Sequence, residues 1–255
     1  MKRFAFIALL FTVGAQVLPD RTPYIINGHP APHQPYNAYV QYLNAQNAGY
    51  FGGGSIISDR HILTAAHIIN GFVRWDIGLG SNAFTQLSIL TTNMAAAHPD
   101  FNVNTLDNDI GILTLAHPLI FSSAIAPITL PALQGQLQLP LENEEGAIHG
   151  FGFTTAASPI RSDFLMRSFQ RVTSSNVCQQ YYQVIIPNHF CAEDTVEQSN
   201  LCFGDLGAGF VTYVRGSPTL TGVASMIAND CASGTPTGYT RVGTYRQWIQ
   251  QVTGV

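Results

Sequence analysis

The sequence predicts a single all-β domain that ends in one helix. With 255 residues, the chain is long enough for one large β domain with a sizeable core. Its 23 glycines and 14 prolines are spread along the chain, which is typical of many short strands joined by turns. Residues 36–42 are apolar at every second position, as in a half-buried strand. The spacing i, i+3, i+4, i+7 of an amphipathic helix is found at Tyr245, Trp248, Ile249 and Val252.

Residues 1–15 have the organisation of a secretory signal peptide. Lys2 and Arg3 form a charged start, residues 4–13 an apolar core, and residues 13–15 a small-residue cleavage site. A membrane anchor is the alternative, but a ten-residue apolar stretch is too short to span a bilayer. We therefore expect a signal peptide at residues 1–15, a short propeptide at residues 16–24 and a secreted domain at residues 25–255, without a membrane segment.

The charge pattern excludes some partners and suggests a compartment. The formal net charge is -4 and there is no basic run, so nucleic acid is not expected to bind. Lys2 is the only lysine, so the mature chain would contain none, although lysine is among the commonest residues. Because arginine stays charged at higher pH than lysine, we hypothesise an alkaline lumen such as an insect midgut. Selection against lysine-directed cleavage and compositional drift are the alternatives.

The cysteine count predicts two disulfides. An even number in a secreted chain favours full pairing, but the sequence alone leaves three pairings open. Acidic residues do not cluster at the spacing of calcium ligands, and we expect neither a metal nor a cofactor. The four cysteines are Cys178, Cys191, Cys202 and Cys231.

Three segments resemble motifs of the chymotrypsin-like (S1) serine protease family. Residues 63–67, Leu-Thr-Ala-Ala-His, match the family's histidine motif without change. Residues 109–113, Asp-Ile-Gly-Ile-Leu, resemble its Asp-Ile-Ala-Leu-Leu segment, and residues 202–209, Cys-Phe-Gly-Asp-Leu-Gly-Ala-Gly, resemble Cys-x-Gly-Asp-Ser-Gly-Gly-Pro. The resemblance covers residues 25–255 and is greatest to insect chymotrypsin- and collagenase-type members. It implies two six-stranded antiparallel Greek-key barrels, a cleft between them, and a C-terminal helix docked on the second barrel.

The same resemblance predicts an inactive site. The family cleaves peptide bonds with a serine nucleophile, a histidine base and an aspartate that orients the histidine. It implies that His67 is the base and Asp109 the orienting residue, but Leu206 occupies the serine position. A leucine side chain cannot attack a carbonyl group. The backbone N–H groups of Gly204 and Leu206 would still form an oxyanion hole.

Two alternatives would restore activity. Ser199, near the expected floor of the substrate pocket, would have to act as the nucleophile. Otherwise Leu206 would have to be a sequence error for serine. Ala208 and Gly209 also depart from the family's Gly-Pro, which argues against an isolated error. Either alternative would make the protein an active chymotrypsin-like endopeptidase.

The resemblance assigns residues to the substrate pocket as well. Asn200 takes the floor position where trypsins carry Asp, which removes selectivity for Arg and Lys. Ile227 and Thr237 take two wall positions that are glycine in trypsins, and Ser225 belongs to the same wall. We expect a small pocket that prefers an apolar group.

Maturation is expected to depend on Ile25. In the family, cleavage before this isoleucine releases an α-amine that pairs with the Asp preceding the nucleophile, here Asp205. Because a buried carboxylate without a partner is costly, Asp205 serves folding as much as catalysis. The residue before Ile25 is Tyr24 rather than Arg, so the cut would have to be chymotrypsin-like, and the alternative is that no cleavage occurs.

The resemblance also selects the disulfide pairing and the class of partner. It implies the pairs Cys178–Cys191 and Cys202–Cys231. Gly52 and Ile68 occupy the two positions of the family's bridge beside the histidine, so that bridge is missing. The sequence therefore predicts a secreted, monomeric, inactive homologue whose cleft binds a peptide, a protease inhibitor or a partner protein.

Overall fold

A computed structural model describes residues 25–155, 158–182, 188–228, 231 and 234–255. The predicted signal peptide (1–15) and propeptide (16–24) lie outside these residues. The first half of the chain forms strands β1 (His29–Pro30), β2 (Asn37–Leu43), β3 (Gly49–Ile56), β4 (His61–Thr64), β5 (Arg74–Leu79), β6 (Ser88–Thr92), β7 (Met94–Ala97) and β8 (Gly111–Thr114). The second half forms β9 (Glu145–Gly150), β10 (Phe153–Thr155), β11 (Ser158–Arg161), β12 (Met166–Val172), β13 (His189–Glu193), β14 (Gly209–Val214), β15 (Ser217–Met226) and β16 (Thr237–Arg241), with helices α1 (Ser175–Tyr181) and α2 (Arg246–Thr253).

The first sheet curls until its two edges meet. Its strand order is β6-β5-β2-β3-β4-β8-β7. The edge strands β6 and β7 are separated only by Asn93, so they form one bent strand that spans the two edges. Counted in this way, the sheet is a barrel of six strands. Its interior is filled by branched aliphatic side chains, among them Val40, Ile62, Ile77 and Ile112.

The second sheet closes by hydrogen bonding alone. Its order is β1-β12-β13-β16-β15-β14-β9, and β12 also pairs with β9, which completes a ring of six strands with β1 outside it. The core of this barrel contains a cluster of aromatic rings from Phe190, Phe210 and Tyr239. The predicted all-β fold of two barrels and a C-terminal helix is confirmed.

The C-terminal helix contacts the first barrel as well as the second, on which the resemblance implied that it docks. The chain leaves β16 through a 3-10 turn, Val242–Tyr245, which carries it across to the first barrel. There the rings of Tyr245 and Trp248 pack against the ring of His98. Ile249 is fully buried in a core cluster that contains residues of both barrels, whereas Val252, on the predicted apolar face, is exposed.

Both disulfides lie in the second half of the chain, with the pairing that the resemblance implied. Cys178 of α1 is bonded to Cys191 of β13, and their Cα atoms are 5.3 Å apart. Cys202 is bonded to Cys231, with Cα atoms 5.0 Å apart. The second bond ties the loop that contains Leu206 to the segment that follows β15.

Ile68 fills the space of the missing third bridge. Its side chain is fully buried, directly after His67. A Cβ atom built on Gly52 would lie 2.8 Å from Ile68 Cδ1 and 2.5 Å from the carbonyl oxygen of Leu206. A Cβ atom on Gly207 would also meet Ile68 Cδ1, at 2.5 Å. The isoleucine therefore packs between β3 and the Leu206 loop, where glycine backbone makes room for it.

We expect Ile68→Ala to lower the free energy of unfolding by about 2–5 kcal/mol, because it leaves a cavity between β3 and the Leu206 loop. Urea denaturation measures the change. Ile120→Ala is the matched control, since Ile120 is 89% exposed and its truncation should change stability by no more than about 0.5 kcal/mol. Equal effects of the two variants would contradict the packing role of Ile68.

Candidate active site

A fully buried carboxylate positions the imidazole of His67. Asp109 lies just before β8, and His67 lies in the 3-10 turn Ala66–Ile68 that follows β4. Asp109 Oδ1 accepts a hydrogen bond from the backbone N–H of His67, and Oδ2 accepts one from His67 Nδ1, both at 2.8 Å. The carboxylate therefore fixes both the backbone and the ring of His67, and it selects the tautomer protonated at Nδ1.

The second barrel supplies two further contacts to Asp109. The hydroxyl of Ser225, in β15, donates to Asp109 Oδ2. The hydroxyl of Thr240, in β16, donates to the carbonyl oxygen of Asp109 at 2.9 Å. Asp109 thus accepts hydrogen bonds from both barrels, and it lies where the barrels meet.

The other nitrogen of His67 has no hydrogen-bond partner among the described residues. Nε2 is buried and makes no hydrogen bond with any residue that the structure describes. In a working triad this nitrogen accepts the proton of the nucleophile. The His67–Asp109 pair therefore has the orientation of a general base, and the group that would donate to Nε2 is missing.

The loop that carries Leu206 is held between the two barrels by its backbone. The carbonyl oxygen of Leu206 accepts a hydrogen bond from the N–H of Gly53 in β3, at 2.8 Å. The N–H of Gly207 donates to the carbonyl oxygen of Ala224 in β15, also at 2.8 Å. Gly204 has a φ of 95°, which favours glycine. A side chain at Gly204 would also collide with the ring of Phe51, 2.1 Å from its Cβ position.

Two N–H groups of this loop are available to a ligand. Within the described residues, neither the N–H of Gly204 nor that of Leu206 donates a hydrogen bond to another part of the chain. Gly204 and Leu206 are only partly buried. Both groups are therefore free to donate to a carbonyl oxygen of a bound molecule, and their role as an oxyanion hole stays a prediction.

An apolar pocket of about 350 Å³ opens beside Leu206. The sequence did not predict it, because its aromatic residues come from three separate segments of the chain. Phe51 and Phe153 pack edge to face with ring centres 5.4 Å apart, and Phe203 lies beside Phe153. The pocket is lined by Tyr42, Gly49, Tyr50, Phe51, Phe153, Phe203, Gly204 and Leu206.

The residues assigned to the substrate pocket contact one another. Thr237 Oγ1 donates to Asn200 Oδ1 at 2.9 Å, and Asn200 Nδ2 donates to the carbonyl oxygen of Thr235 at 3.0 Å. Ile227 and Leu206 both pack against the core cluster of the second barrel. The polar groups of Asn200 and Thr237 are thus directed at each other, and Ile227 adds apolar surface. Ser225, which the sequence placed in this wall, directs its hydroxyl at Asp109 instead.

Ser199 is committed to a separate buried network. Its hydroxyl donates to Asp194 Oδ2 at 2.5 Å and lies 2.7 Å from the hydroxyl of Ser168. Ser199 is 3% exposed. These bonds direct its oxygen to Asp194 and Ser168 rather than to His67.

Ile25 and Asp205 are both fully buried. The carboxylate of Asp205 accepts hydrogen bonds from the N–H groups of Gly152, at 2.8 Å, and Cys202, at 3.1 Å. It lies so close to Gly150 and Gly152 that a Cβ atom on either would collide with it. Burial raises the pKa of this carboxyl from 3.8 to about 7, although the two hydrogen bonds lower it. The pairing of Asp205 with an α-amine on Ile25 stays a prediction.

Two further properties bear on the class of site. In the parts of the chain that the structure describes, no three His, Cys, Asp or Glu side chains are grouped closely enough to hold a metal ion. None of the helices there is long and apolar enough to cross a membrane.

Comparison with known proteins identifies the family. The sequence model of the trypsin family matches residues 25–249. The chain belongs to the trypsin family of serine proteases. It is 31% identical to a collagenase of Hypoderma lineatum over 247 residues, which cover 94% of this chain and 92% of the relative. It is 29% identical to a chymotrypsin of Phaedon cochleariae, over 89% of this chain and 81% of the relative.

A solved structure supports the same assignment. A collagenase structure, 31% identical, superposes with a TM-score of 0.81 over 91% of this chain and 99% of the collagenase chain. Within the trypsin-family fold, a hydrogen bond joins His67 to Asp109, and the Leu206 loop lies against Ile68, the residue that follows His67. Their roles, and those of the pocket residues and of Ile25, stay predictions.

The raised pKa of Asp205 predicts a pH dependence in the uncleaved chain. The folded protein keeps the proton of this carboxyl up to about pH 7, whereas the unfolded chain releases it near pH 4. The contribution of the protonated Asp205 carboxyl to the free energy of unfolding is complete below about pH 4. It is lost as the pH rises to about 7, by about 1.4 kcal/mol per pH unit. Urea denaturation at pH 4, 5.5 and 7 measures the free energy of unfolding of the wild type and of Asp205→Asn. As the pH rises, the wild type should lose stability relative to the variant.

A chain that begins at Ile25 is the control for this prediction. Its α-amine would favour the ionised carboxylate, so the pH dependence assigned to Asp205 should weaken. Parallel stability curves for the uncleaved wild type and Asp205→Asn would contradict the assignment.

Proposed function

We propose that the chain is a secreted, catalytically inactive member of the trypsin family that binds a peptide, a protease inhibitor or a partner protein through its cleft. The observation that carries the proposal is the alkyl side chain of Leu206 in the loop where the family has its serine. In addition, His67 Nε2 is buried and has no hydrogen-bond partner among the residues that the structure describes. Without a hydroxyl group the imidazole has no proton to accept, and no acyl intermediate can form.

The expected loss of activity is large. Removal of the nucleophile from a comparable triad lowers kcat by about 2 × 10⁶. That factor corresponds to a barrier higher by roughly 8.6 kcal/mol. The rate that remains, about 10³–10⁴ over water from the oxyanion hole and binding, is negligible for a protease. The intact His67–Asp109 pair does not compensate, because it acts only through the missing group.

Binding does not depend on the missing group. The N–H groups of Gly204 and Leu206 can hold the carbonyl oxygen of an extended peptide, and the apolar pocket beside Leu206 can take one of its side chains. Aromatic walls such as those of Phe51, Phe153 and Phe203 favour an apolar or aromatic group. A protease inhibitor that presents an extended segment would meet the same surface and would remain uncleaved.

The second candidate function is an active chymotrypsin-like endopeptidase. The hydrogen bonds among His67, Asp109 and Ser225 favour it, as do relatives named collagenase and chymotrypsin. A fluorophosphonate probe separates the two functions, because it forms a covalent bond only with an activated nucleophile. Labelling of the wild-type protein would overturn the proposal of an inactive cleft.

We expect Leu206→Ser, in a chain that begins at Ile25, to gain amide hydrolysis by several orders of magnitude, up to about 10⁶ in kcat. The serine hydroxyl would supply the group that His67 Nε2 lacks. A chromogenic peptide with an apolar residue before the scissile bond measures the gain. Leu206→Ala is the matched control, because it removes the leucine without adding a hydroxyl. Equal activity of the two variants would contradict the role of position 206.

Secretion and compartment are part of the proposal. The two disulfides are typical of an oxidising, extracellular environment. The absence of lysine after Lys2 supports the hypothesis of an alkaline lumen, since arginine keeps its charge above pH 10. We expect the circular dichroism spectrum of the protein to be the same at pH 7 and pH 10. Unfolding by pH 10 would contradict the alkaline hypothesis without affecting the inactive site.

A further inference from the structure

The tetrapeptide Ile-Ile-Asn-Gly occurs twice in the chain, at residues 25–28 and at residues 68–71, and these contain the only two Asn-Gly pairs of the sequence. Asparagine is a thermolabile residue, since its side-chain amide can be lost by deamidation. A following glycine promotes this reaction, because it has no Cβ atom to keep its backbone nitrogen away from the asparagine side chain. The two copies have the same local sequence, so the fold decides which of them can react.

The second copy lies in an exposed turn. Asn70 and Gly71 are both exposed, between the 3-10 turn that contains His67 and strand β5. Within the described residues, neither the N–H of Gly71 nor the side chain of Asn70 makes a hydrogen bond. Gly71 has a φ of 86°, and apart from its chain neighbours no described atom lies within 4 Å of its Cβ position. The reacting groups therefore lie in a solvated turn, and no hydrogen bond has to break before they meet.

The first copy is held by hydrogen bonds and by burial. The N–H of Gly28 donates to the carbonyl oxygen of Ile25, and Asn27 Nδ2 donates to the carbonyl oxygen of Gln198 at 3.2 Å. Gly28 is buried, although Asn27 is exposed. The backbone nitrogen of Gly28 would have to leave its hydrogen bond before it could attack, which requires a local opening of this segment.

We propose that Asn70 is a site of spontaneous covalent modification, at which the side chain deamidates to aspartate and isoaspartate, while Asn27 stays intact in the folded protein. Hydroxide removes the proton from the backbone nitrogen of Gly71, and this nitrogen attacks Asn70 Cγ. The bond between Cγ and Nδ2 then breaks, and ammonia leaves after taking a proton from water. The five-membered succinimide that remains is opened by water at either of its two carbonyl carbons. The net reaction consumes one water and releases one ammonia.

The modification changes the turn beside the candidate active site. Either product adds one negative charge, three residues after His67. Isoaspartate also routes the backbone through the side-chain carbon, which lengthens the link between the buried Ile69 and β5 by one carbon atom. The alkaline lumen proposed above would accelerate the reaction, because the fraction of deprotonated amide rises about tenfold per pH unit.

The test incubates the folded chain without its signal peptide at pH 7 and pH 8 and measures deamidation at each asparagine by peptide mass spectrometry. We expect Asn70 to react at least about tenfold faster than Asn27, because only Asn27 requires a local opening. We expect the rate at Asn70 to rise about tenfold between the two pH values. Equal rates at the two sites, or a rate at Asn70 that does not rise with pH, would overturn the proposal.

The same chain unfolded in urea is the control for local sequence. There the two copies should react at similar rates, because the hydrogen bonds of the first copy are lost. A difference in urea as large as the difference in the folded chain would assign it to the flanking residues, and would overturn the role of the fold.

Variants identify the reacting groups. Gly71→Ala places a methyl group beside the attacking nitrogen and should slow the reaction at Asn70 at least about tenfold. Because the φ of Gly71 favours glycine, a second variant, Asn70→Gln, keeps the glycine and should abolish the modification at this turn. Asn104→Gln is the matched control, since Asn104 is also exposed but precedes a threonine, and Asn70 should then react as in the wild type. Wild-type ammonia release from folded Asn70→Gln would place the modification elsewhere and overturn the site.

Discussion

The buried carboxylate of Asp109 is the contact on which the rest of the site depends. It accepts two hydrogen bonds from His67 in the first barrel and one from Ser225 in the second, and its backbone carbonyl accepts another from Thr240. A carboxylate can be buried in a protein interior at low energetic cost only when its oxygen atoms accept hydrogen bonds. These bonds therefore join the two barrels at Asp109, next to His67. The arrangement stabilises the protein whether or not it catalyses a reaction.

The polar side chains that this chain shares with a protease site, Asp109 and Asp205, also have structural roles. At two other positions, Leu206 and Ile68, the chain has apolar side chains. Asp109 and Asp205 each satisfy several backbone N–H or hydroxyl groups in the interior, so their loss would leave buried donors without acceptors. A nucleophilic side chain does not satisfy buried donors in this way. The loop that contains Leu206 is held by its backbone hydrogen bonds, which do not depend on the side chain. Ile68 likewise replaces a covalent tie with packing against the glycine backbone of the same loop. A leucine at position 206 and an isoleucine at position 68 are therefore compatible with retention of the fold.

The sequence predicted those parts of the structure that short motifs determine. Leu-Thr-Ala-Ala-His located His67, and the resemblance paired it correctly with Asp109. The contacts of Ser225 and Thr240 with Asp109 were not predicted, because they join residues 116 and 131 positions apart and depend on the register of β15 and β16. Periodicity predicted the last helix but not its neighbours, since the same apolar face of Ile249 could pack on either barrel. The aromatic pocket beside Leu206 was not predicted for the same reason, since it combines distant segments of the chain.

The distribution of the cross-links makes the two barrels unequal. Both disulfides of the described residues link segments in the second half of the chain. The first barrel is stabilised by packing and hydrogen bonds, without a disulfide. A thiol reductant would thus act on only one half of the molecule. Reduction would loosen the Leu206 loop and α1, while the turn that carries His67 would keep its anchorage in the first barrel. Reducing conditions would in this way loosen the loop that contains Leu206 and leave the first barrel folded.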